Sequence, residues 1–146
     1  MAIARGTDKA ELAMQLGAAH YIDSTAKDPG VALQELGGAA AIIATAASGA
    51  SMSPLVAGLE PRGHLVIVGA GPDPISVRTA EMIFGGRTVT GSLTGRPIEN
   101  EDNLIFSARE GIRPTIETMS FQDAPKAYER MMSGEARFRV VLDIAA

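Results

Sequence analysis

The sequence predicts an α/β fold built on a parallel sheet, and two observations carry this prediction. Short apolar runs alternate along the chain with helix-like segments of about ten residues. One of these runs, from Ala39 to Thr45, contains no charged residue, which is typical of a strand buried on both faces. Strands that alternate with helices form β–α–β units, so we predict a doubly wound parallel sheet with helices on both faces.

Each predicted strand is a short apolar or β-branched run that ends at a turn residue or a charge. The first is very short and follows the initial Met directly. The predicted strands are Ala2–Ala4, His20–Ile22, Ala39–Thr45, His64–Val68, Thr88–Leu93, Thr115–Met119 and Arg139–Ile144, with a short extended piece at Ile75–Val77.

The predicted helices start at capping residues and end at glycines. Asp28 and Ser53 each precede a proline, the combination that typically opens a helix, and Thr7 and Thr79 are further candidate caps. Gly17 lies where a left-handed residue closes a helix. The predicted helices are Asp8–Leu16, Pro29–Leu36, Pro54–Leu59, Ala80–Phe84, Glu101–Glu110 and Ala124–Met132.

Composition excludes several classes of function. The chain has 146 residues, 46% hydrophobic residues and a net charge of −4, so it is neither disordered nor strongly basic like a nucleic-acid-binding surface. It has no cysteine, and His20 and His64 have no partner at metal-ligand spacing, so no metal site and no cysteine nucleophile are predicted. No apolar run is long enough for a membrane helix and no signal peptide is evident, so a cytoplasmic location is expected.

Two segments resemble parts of a nucleotide site. Gly69-Ala70-Gly71 follows a predicted strand like the start of a Gly-x-Gly-x-x-Gly phosphate loop, but Pro74 stands at the last glycine position, so a simple turn is favoured. After the first strand, Arg5, Thr7 and Lys9 could bind a ribose 2′-phosphate, or could be ordinary charges at a solvated helix start. The residues alone leave these two interpretations open.

Several segments, in order along essentially the whole chain, carry a resemblance to a known family. They are Ala2–Lys9, Leu16–Ala18, Tyr21–Asp23, Leu59–Gly69, Ile83–Gly85, Val89–Gly95 and Ala136–Asp143. Taken together, these segments resemble the zinc-dependent alcohol dehydrogenases of the medium-chain dehydrogenase/reductase superfamily, and their order makes the resemblance more specific than any single motif.

The resemblance implies hydride transfer between an alcohol and NAD(P)+, giving an aldehyde or a ketone. It also implies that the family's catalytic domain, with the zinc ligands, and the first Rossmann strand with its glycine loop lie outside this sequence. We therefore expect an incomplete Rossmann-like sheet over residues 1–95, followed by a C-terminal α/β segment over residues 96–146. Zinc belongs to the parent enzyme only, and the chain alone is expected to bind NADP or NAD weakly or not at all and to be inactive.

By the same resemblance, ten residues would face the cofactor, and none is catalytic or metal-binding. An alanine at position 4, where NAD-preferring relatives carry an acid, favours NADP. The implied contacts are Arg5, Thr7 and Lys9 at the adenosine ribose and its 2′-phosphate, Thr45 beside the adenine, Val68, Gly69 and Ala70 beside the nicotinamide, Ser92 and Leu93 at its carboxamide, and Arg139 at the pyrophosphate.

The absence of a central strand has structural consequences. Ala2–Ala4 and Ala39–Thr45 would face a gap, to be resolved by direct pairing, by a strand from a neighbouring chain or by displacement of the first strand. The resemblance also implies a homodimer through Thr88–Leu93. Two alternatives stay open, namely a zinc-free quinone or enoyl reductase of the same superfamily, and a non-catalytic dimerising or binding module.

Overall fold

The computed structural model describes residues 1–145, and the chain divides into two compact units between Thr94 and Gly95. Strands and helices alternate in both units, as the sequence predicts. The first unit contains β1 (Ala2–Ala4), α1 (Ala10–Gln15), β2 (Tyr21–Asp23), α2 (Pro29–Glu35), β3 (Ala39–Ala44), α3 (Gly49–Met52), a 3₁₀ turn (Ser53–Val56), β4 (Leu59–Ile67), α4 (Thr79–Gly85) and β5 (Thr88–Gly91).

The strands of the first unit form two parallel sheets. β1 pairs with β2, and β4 lies between β3 and β5 in the other sheet. Among the residues that the structure describes, β1 and β3 share no ladder of hydrogen bonds. Direct pairing of these two strands, one of the three expected outcomes, is therefore not what the chain adopts.

One hydrophobic core joins the two sheets. Helix α2 contacts both β2 and β4, and its Leu33 is almost fully buried. The same cluster contains Ile22 of β2 and Leu65 of β4, which is completely inaccessible to solvent. Burial of these side chains supplies the main stabilising free energy, because it removes apolar surface from water.

The prediction that the run from Ala39 to Thr45 is buried on both faces is wrong. Within β3, Ile42 and Ala44 are buried in the core, whereas Ala41 and Ile43 are exposed, Ile43 to 70%. Side chains alternate along a strand, so this pattern means that one face of β3 packs on the core and the opposite face lies open. The apolar sequence of this run predicts a strand, but it does not predict which faces of the strand are covered by other parts of the protein.

Several predicted helix starts and strand ends are also corrected. Asp28 does cap α2, where its carboxylate accepts a hydrogen bond from the Val31 amide at 3.0 Å. By contrast, α3 begins earlier than predicted, with Ser48 as its cap. The N-cap positions of α1 and α4 are occupied by Lys9 and Arg78, and no side chain caps either helix, so the predicted threonine caps are wrong. β4 continues through the predicted Pro61–Gly63 turn because the ladder to β3 shifts register there.

The second unit contains a two-stranded parallel sheet. Its elements are α5 (Pro97–Arg109), β6 (Ile116–Ser120), α6 (Ala124–Met132) and β7 (Arg139–Asp143), with β6 paired to β7. Arg130 of α6 forms an ion pair with Glu117 of β6, and Glu117 also accepts a hydrogen bond from the Arg137 amide at 2.7 Å. In the described residues, no helix has the length and apolarity needed to cross a membrane.

Candidate functional site

Two grooves lie beside the sheets of the first unit. The larger, which we call the strand groove, has a volume of about 620 Å³ and is lined by both β1 and β3. The smaller, which we call the glycine groove, has a volume of about 520 Å³ and is lined by the segments that follow β4 and β5. Met52 of α3 lines both, so the two grooves adjoin.

The strand groove brings together three of the predicted cofactor residues. Arg5 and Lys9, from the loop after β1, line the groove together with Thr45, which directly follows β3. The carboxyl ends of β1 and β3 thus contribute both cationic and hydroxyl groups to the same groove. Thr7 belongs to the same loop as Arg5 but is not among the groove residues within the described part of the chain.

The loop that carries Arg5 is held in place by β2. The Asp23 carboxylate accepts a hydrogen bond from the Gly6 amide at 2.8 Å, and the Tyr21 hydroxyl donates one to the Gly6 carbonyl at 2.8 Å. Gly6 has φ +73°, a left-handed conformation that favours glycine. Both backbone polar groups of Gly6 are therefore bound by side chains of β2.

The hydrogen bonds to Asp23 also affect its ionisation. Its carboxylate accepts further hydrogen bonds from the Thr25 hydroxyl at 2.7 Å and the Thr25 amide at 2.8 Å. These hydrogen bonds lower the pKa of Asp23, because they favour the charged form, and the bond from the Thr25 hydroxyl has the largest effect. Partial burial, with the carboxylates of Asp8 and Asp23 nearby, raises the pKa of Tyr21. Neither Tyr21 nor Asp23 was identified as a site residue from the sequence.

The glycine groove brings together the five residues predicted for the nicotinamide side. Among these, Gly69 lies where β3 and β4 approach each other. A Cβ at Gly69 would come within 2.3 Å of the Ala46 carbonyl oxygen and 2.4 Å of that of Thr45, so only glycine fits without a shift of the backbone. The five residues are Val68, Gly69, Ala70, Ser92 and Leu93.

Asp73 anchors the loop that borders the glycine groove. Its carboxylate accepts hydrogen bonds from the Ala50 amide at 2.7 Å and the Ser48 hydroxyl at 3.2 Å. The backbone bonds from Ala50 and Gly49 lower the pKa of Asp73 most strongly. The chain after Gly71 is therefore fixed to the start of α3 and does not continue as the helix of a phosphate loop, in agreement with the predicted turn.

The remaining site predictions concern Arg139 and metal binding. Arg139 is the first residue of β7 in the second unit, so its role at a pyrophosphate stays a prediction. Within residues 1–145, no group of three or more His, Cys, Asp or Glu side chains is arranged to hold a metal ion. The residues described therefore do not fit the zinc that the resemblance implies for the parent enzyme.

Comparisons with known proteins by family model, by sequence and by structure agree with one another. A family model described as zinc-binding dehydrogenase matches residues 1–109. The alcohol dehydrogenase notN of Aspergillus sp. (strain MF297-2) is 35% identical over 97% of this chain and 42% of its own length. A solved cinnamyl alcohol dehydrogenase of Sorghum bicolor superposes with a TM-score of 0.81 at 30% identity, over 99% of this chain and 40% of its own.

A third relative is a solved structure of CAD from Helicobacter pylori complexed with NADP(H). The match has a TM-score of 0.76 and 26% sequence identity, and it covers 97% of this chain and 40% of the H. pylori chain. The chain therefore spans between 40% and 42% of the length of these three relatives. The structural matches confirm the predicted fold class, a Rossmann-like α/β fold with parallel strands.

Proposed function

The chain belongs to the zinc-binding dehydrogenase family, and on that premise we propose that it is the cofactor-binding portion of an alcohol dehydrogenase. The reaction is hydride transfer between an alcohol and NAD(P)+, which yields an aldehyde or a ketone. The observation that supports the proposal is that eight of the predicted cofactor residues lie in two adjoining grooves. Three line the strand groove, five line the glycine groove, and the two grooves adjoin at Met52.

The two grooves differ in chemistry in the way that the two ends of a dinucleotide require. Arg5 and Lys9 supply positive charge to the strand groove, which suits a phosphorylated ribose, since a guanidinium binds a phosphate through two parallel hydrogen bonds. Apart from Asp73, whose carboxylate binds the start of α3, the glycine groove is lined by small and apolar residues, and its volume of about 520 Å³ lies in the range of small-molecule sites. There the backbone groups of Ser92 and Leu93 would bind the carboxamide. The bound cofactor supplies the hydride acceptor or donor.

We further propose NADP as the preferred cofactor. The support is that β1 ends in Ala4, so no acidic side chain is there to accept hydrogen bonds from an unmodified ribose, and that the cationic Arg5 follows it. The CAD from H. pylori, which was solved with NADP(H), has the same fold in the matched portion. The isolated chain has neither a complete phosphate loop nor zinc ligands among its described residues, so we expect it to be inactive and to bind the cofactor weakly.

Titration of the isotopically labelled chain with NADP+ and NAD+, followed by amide chemical shifts, tests this assignment. The expected result is shift changes at Arg5, Lys9, Gly69 and Ser92, with a millimolar or weaker dissociation constant that is lower for NADP+. The Arg5→Ala variant should lose the difference between the two cofactors. Shift changes confined to the second unit, or micromolar binding measured by calorimetry, would contradict the proposal.

The open edge of β5 is the proposed dimer contact. β5 pairs with β4 on one side only within the described residues, and Leu93, just beyond the strand, is almost fully exposed. An unpaired, partly apolar strand edge is a template for pairing with a second chain. We therefore propose a homodimer in which Thr88–Leu93 of two copies pair across a two-fold axis.

A further inference from the structure

The two cations of the strand groove lie on a loop that its own flanking elements hold only weakly. This loop, residues 5–9, which we call the Arg5 loop, connects β1 to α1 and carries both Arg5 and Lys9. Within residues 1–145, no side chain of β1 or α1 is fully buried, and none caps α1. Segments with few buried apolar groups open easily, so the position of the loop depends on other contacts.

Those contacts are two hydrogen bonds between Gly6 and β2. The Asp23 carboxylate accepts one at 2.8 Å from the Gly6 amide, which belongs to the peptide group that joins Arg5 to Gly6. The Tyr21 hydroxyl donates the other at 2.8 Å to the Gly6 carbonyl, which belongs to the peptide group that joins Gly6 to Thr7. Because each peptide group is planar, the two bonds together fix both backbone dihedral angles of Gly6.

Fixing these angles determines where the two cations lie relative to each other. Gly6 follows Arg5 directly and precedes Lys9 by three residues, and its φ is +73°. Glycine has the widest choice of backbone conformations of any residue, so an unrestrained Gly6 would let the chain on its two sides reorient. Tyr21 and Asp23 therefore restrain the most adaptable point between Arg5 and Lys9.

The carboxyl end of β2 lies directly beside the Arg5 loop. Ser24, which follows Asp23, also lines the strand groove, and its amide donates a hydrogen bond to the Ala4 carbonyl at 2.9 Å. Three donors, namely the Gly6 amide, the Thr25 amide and the Thr25 hydroxyl, all reach the Oδ1 atom of Asp23. The Asp23 carboxylate thus serves as a hydrogen-bonded anchor for the loop.

We propose that Tyr21 and Asp23 are positioning residues for cofactor selection, which hold Arg5 and Lys9 in the arrangement that binds a ribose 2′-phosphate. The proposal rests on the proposed function, and it makes the preference for NADP depend on β2 as well as on the two cations. A guanidinium and an ammonium held at a fixed separation can bind the same phosphate group, whereas an unmodified ribose gains little from either.

Two ligands that differ only in the 2′-phosphate test the proposal. Adenosine 2′,5′-bisphosphate carries this phosphate and adenosine 5′-monophosphate lacks it. Each is titrated into the full, isotopically labelled chain, and the amide chemical shifts of the Arg5 loop give the dissociation constants. The variants are Tyr21→Phe, which removes one hydroxyl, and Asp23→Ala. Tyr128→Phe is the matched control, because Tyr128 is exposed on α6 in the second unit.

We expect the unmodified chain and Tyr128→Phe to bind the bisphosphate at least about tenfold more tightly than the monophosphate. Tyr21→Phe and Asp23→Ala should each lower this preference about fivefold through weaker binding of the bisphosphate. Binding of the monophosphate should change less than about twofold, because no cation needs to be positioned for it. A purely structural defect would instead weaken the binding of both ligands.

Asp23→Asn is the conservative variant that separates position from charge. The three donors reach Oδ1, so an asparagine with its amide oxygen at that place can still hold the Gly6 amide. The preference for the bisphosphate should therefore stay within about twofold of that of the unmodified chain.

Several outcomes would overturn the proposal. Full preference in either Tyr21→Phe or Asp23→Ala would overturn it and leave the proposed function intact, and so would an equal loss for both ligands. A higher preference in Asp23→Ala would also overturn it, because the carboxylate would then act by repelling the phosphate. If the unmodified chain showed no shift change in the Arg5 loop with either ligand, the proposed function would fail, and this proposal with it.

Discussion

Gly69, just after β4, lies against the backbone that follows β3, and its lack of a side chain permits that approach. In Gly69→Ala the new Cβ would meet backbone oxygens of Thr45 and Ala46 at 2.4 Å and 2.3 Å, so the backbone must shift. We expect a loss of about 1–3 kcal/mol in the free energy of unfolding, as for other overpacked sites. Denaturant unfolding measures this loss.

Gly91 provides the matched control for that substitution. It also lines the glycine groove, but a Cβ there would meet no atom within 4 Å. Gly91→Ala should therefore leave the free energy of unfolding unchanged within about 0.5 kcal/mol. If the two alanine variants were equally stable, the close approach at Gly69 would not describe the protein.

Asp23 should make the stability of the chain depend on pH. Its pKa is lowered in the folded state by hydrogen bonds from Thr25 and Gly6. The stabilisation is therefore present above the unfolded pKa of about 3.9 and is lost as the pH falls through the lower folded value. Asp23→Asn should have a lower Tm than the unmodified chain at neutral pH, and this difference should disappear in strong acid. A difference that does not change with pH would contradict the role given to the carboxylate.

At the scale of the element, β3 shows what the sequence can and cannot predict. Its position, length and apolar character follow from the run after Gly38, and α2 is predicted well because Asp28 and Pro29 open it. Which face of β3 is buried could not be predicted, because both faces of the strand carry the same apolar types of side chain. The helix after β1 starts later than expected because Gly6, held by Tyr21 and Asp23, extends the loop.

The candidate site residues were predicted mainly from the family resemblance. The structure brings Arg5 and Thr45 to one groove and Gly69 and Ser92 to the other, while their contacts with a cofactor stay a prediction. Asp73 was missed because its partners are Ser48 and the Ala50 amide, more than twenty residues away in the sequence. No local pattern encodes such a contact.

The one-sided packing of β3 and β4 gives a testable difference between two aliphatic residues. Leu65 is fully buried, so Leu65→Ala should lower the free energy of unfolding by about 2–5 kcal/mol through lost burial and a cavity. Ile43 is 70% exposed, so Ile43→Ala should change it by no more than about 0.5 kcal/mol. Denaturant unfolding of both variants checks this, and similar losses at the two positions would show that the open face of β3 is covered in solution.

At the scale of the whole molecule, assembly is expected to run through β5. Sedimentation at micromolar concentration should show a dimer, because the open edge of Thr88–Gly91 can pair with a second copy. Thr90 is exposed on that strand, so Thr90→Lys should shift the chain to monomer by placing like charges on the paired edges. Arg109→Ala, in the second unit, is the control and should remain dimeric. A monomer at micromolar concentration would rule out this contact.

The central claim is that this chain provides the cofactor site of an alcohol dehydrogenase, and a chimera tests it most directly. The chain would replace the matching 40% of the S. bicolor cinnamyl alcohol dehydrogenase, and NADPH or NADH formation would be followed with the alcohol of that enzyme. We predict turnover that favours NADP+, and Arg5→Ala should lower kcat/KM for NADP+ about tenfold while changing the value for NAD+ less than about twofold. A folded chimera that reduces neither cofactor would contradict the account.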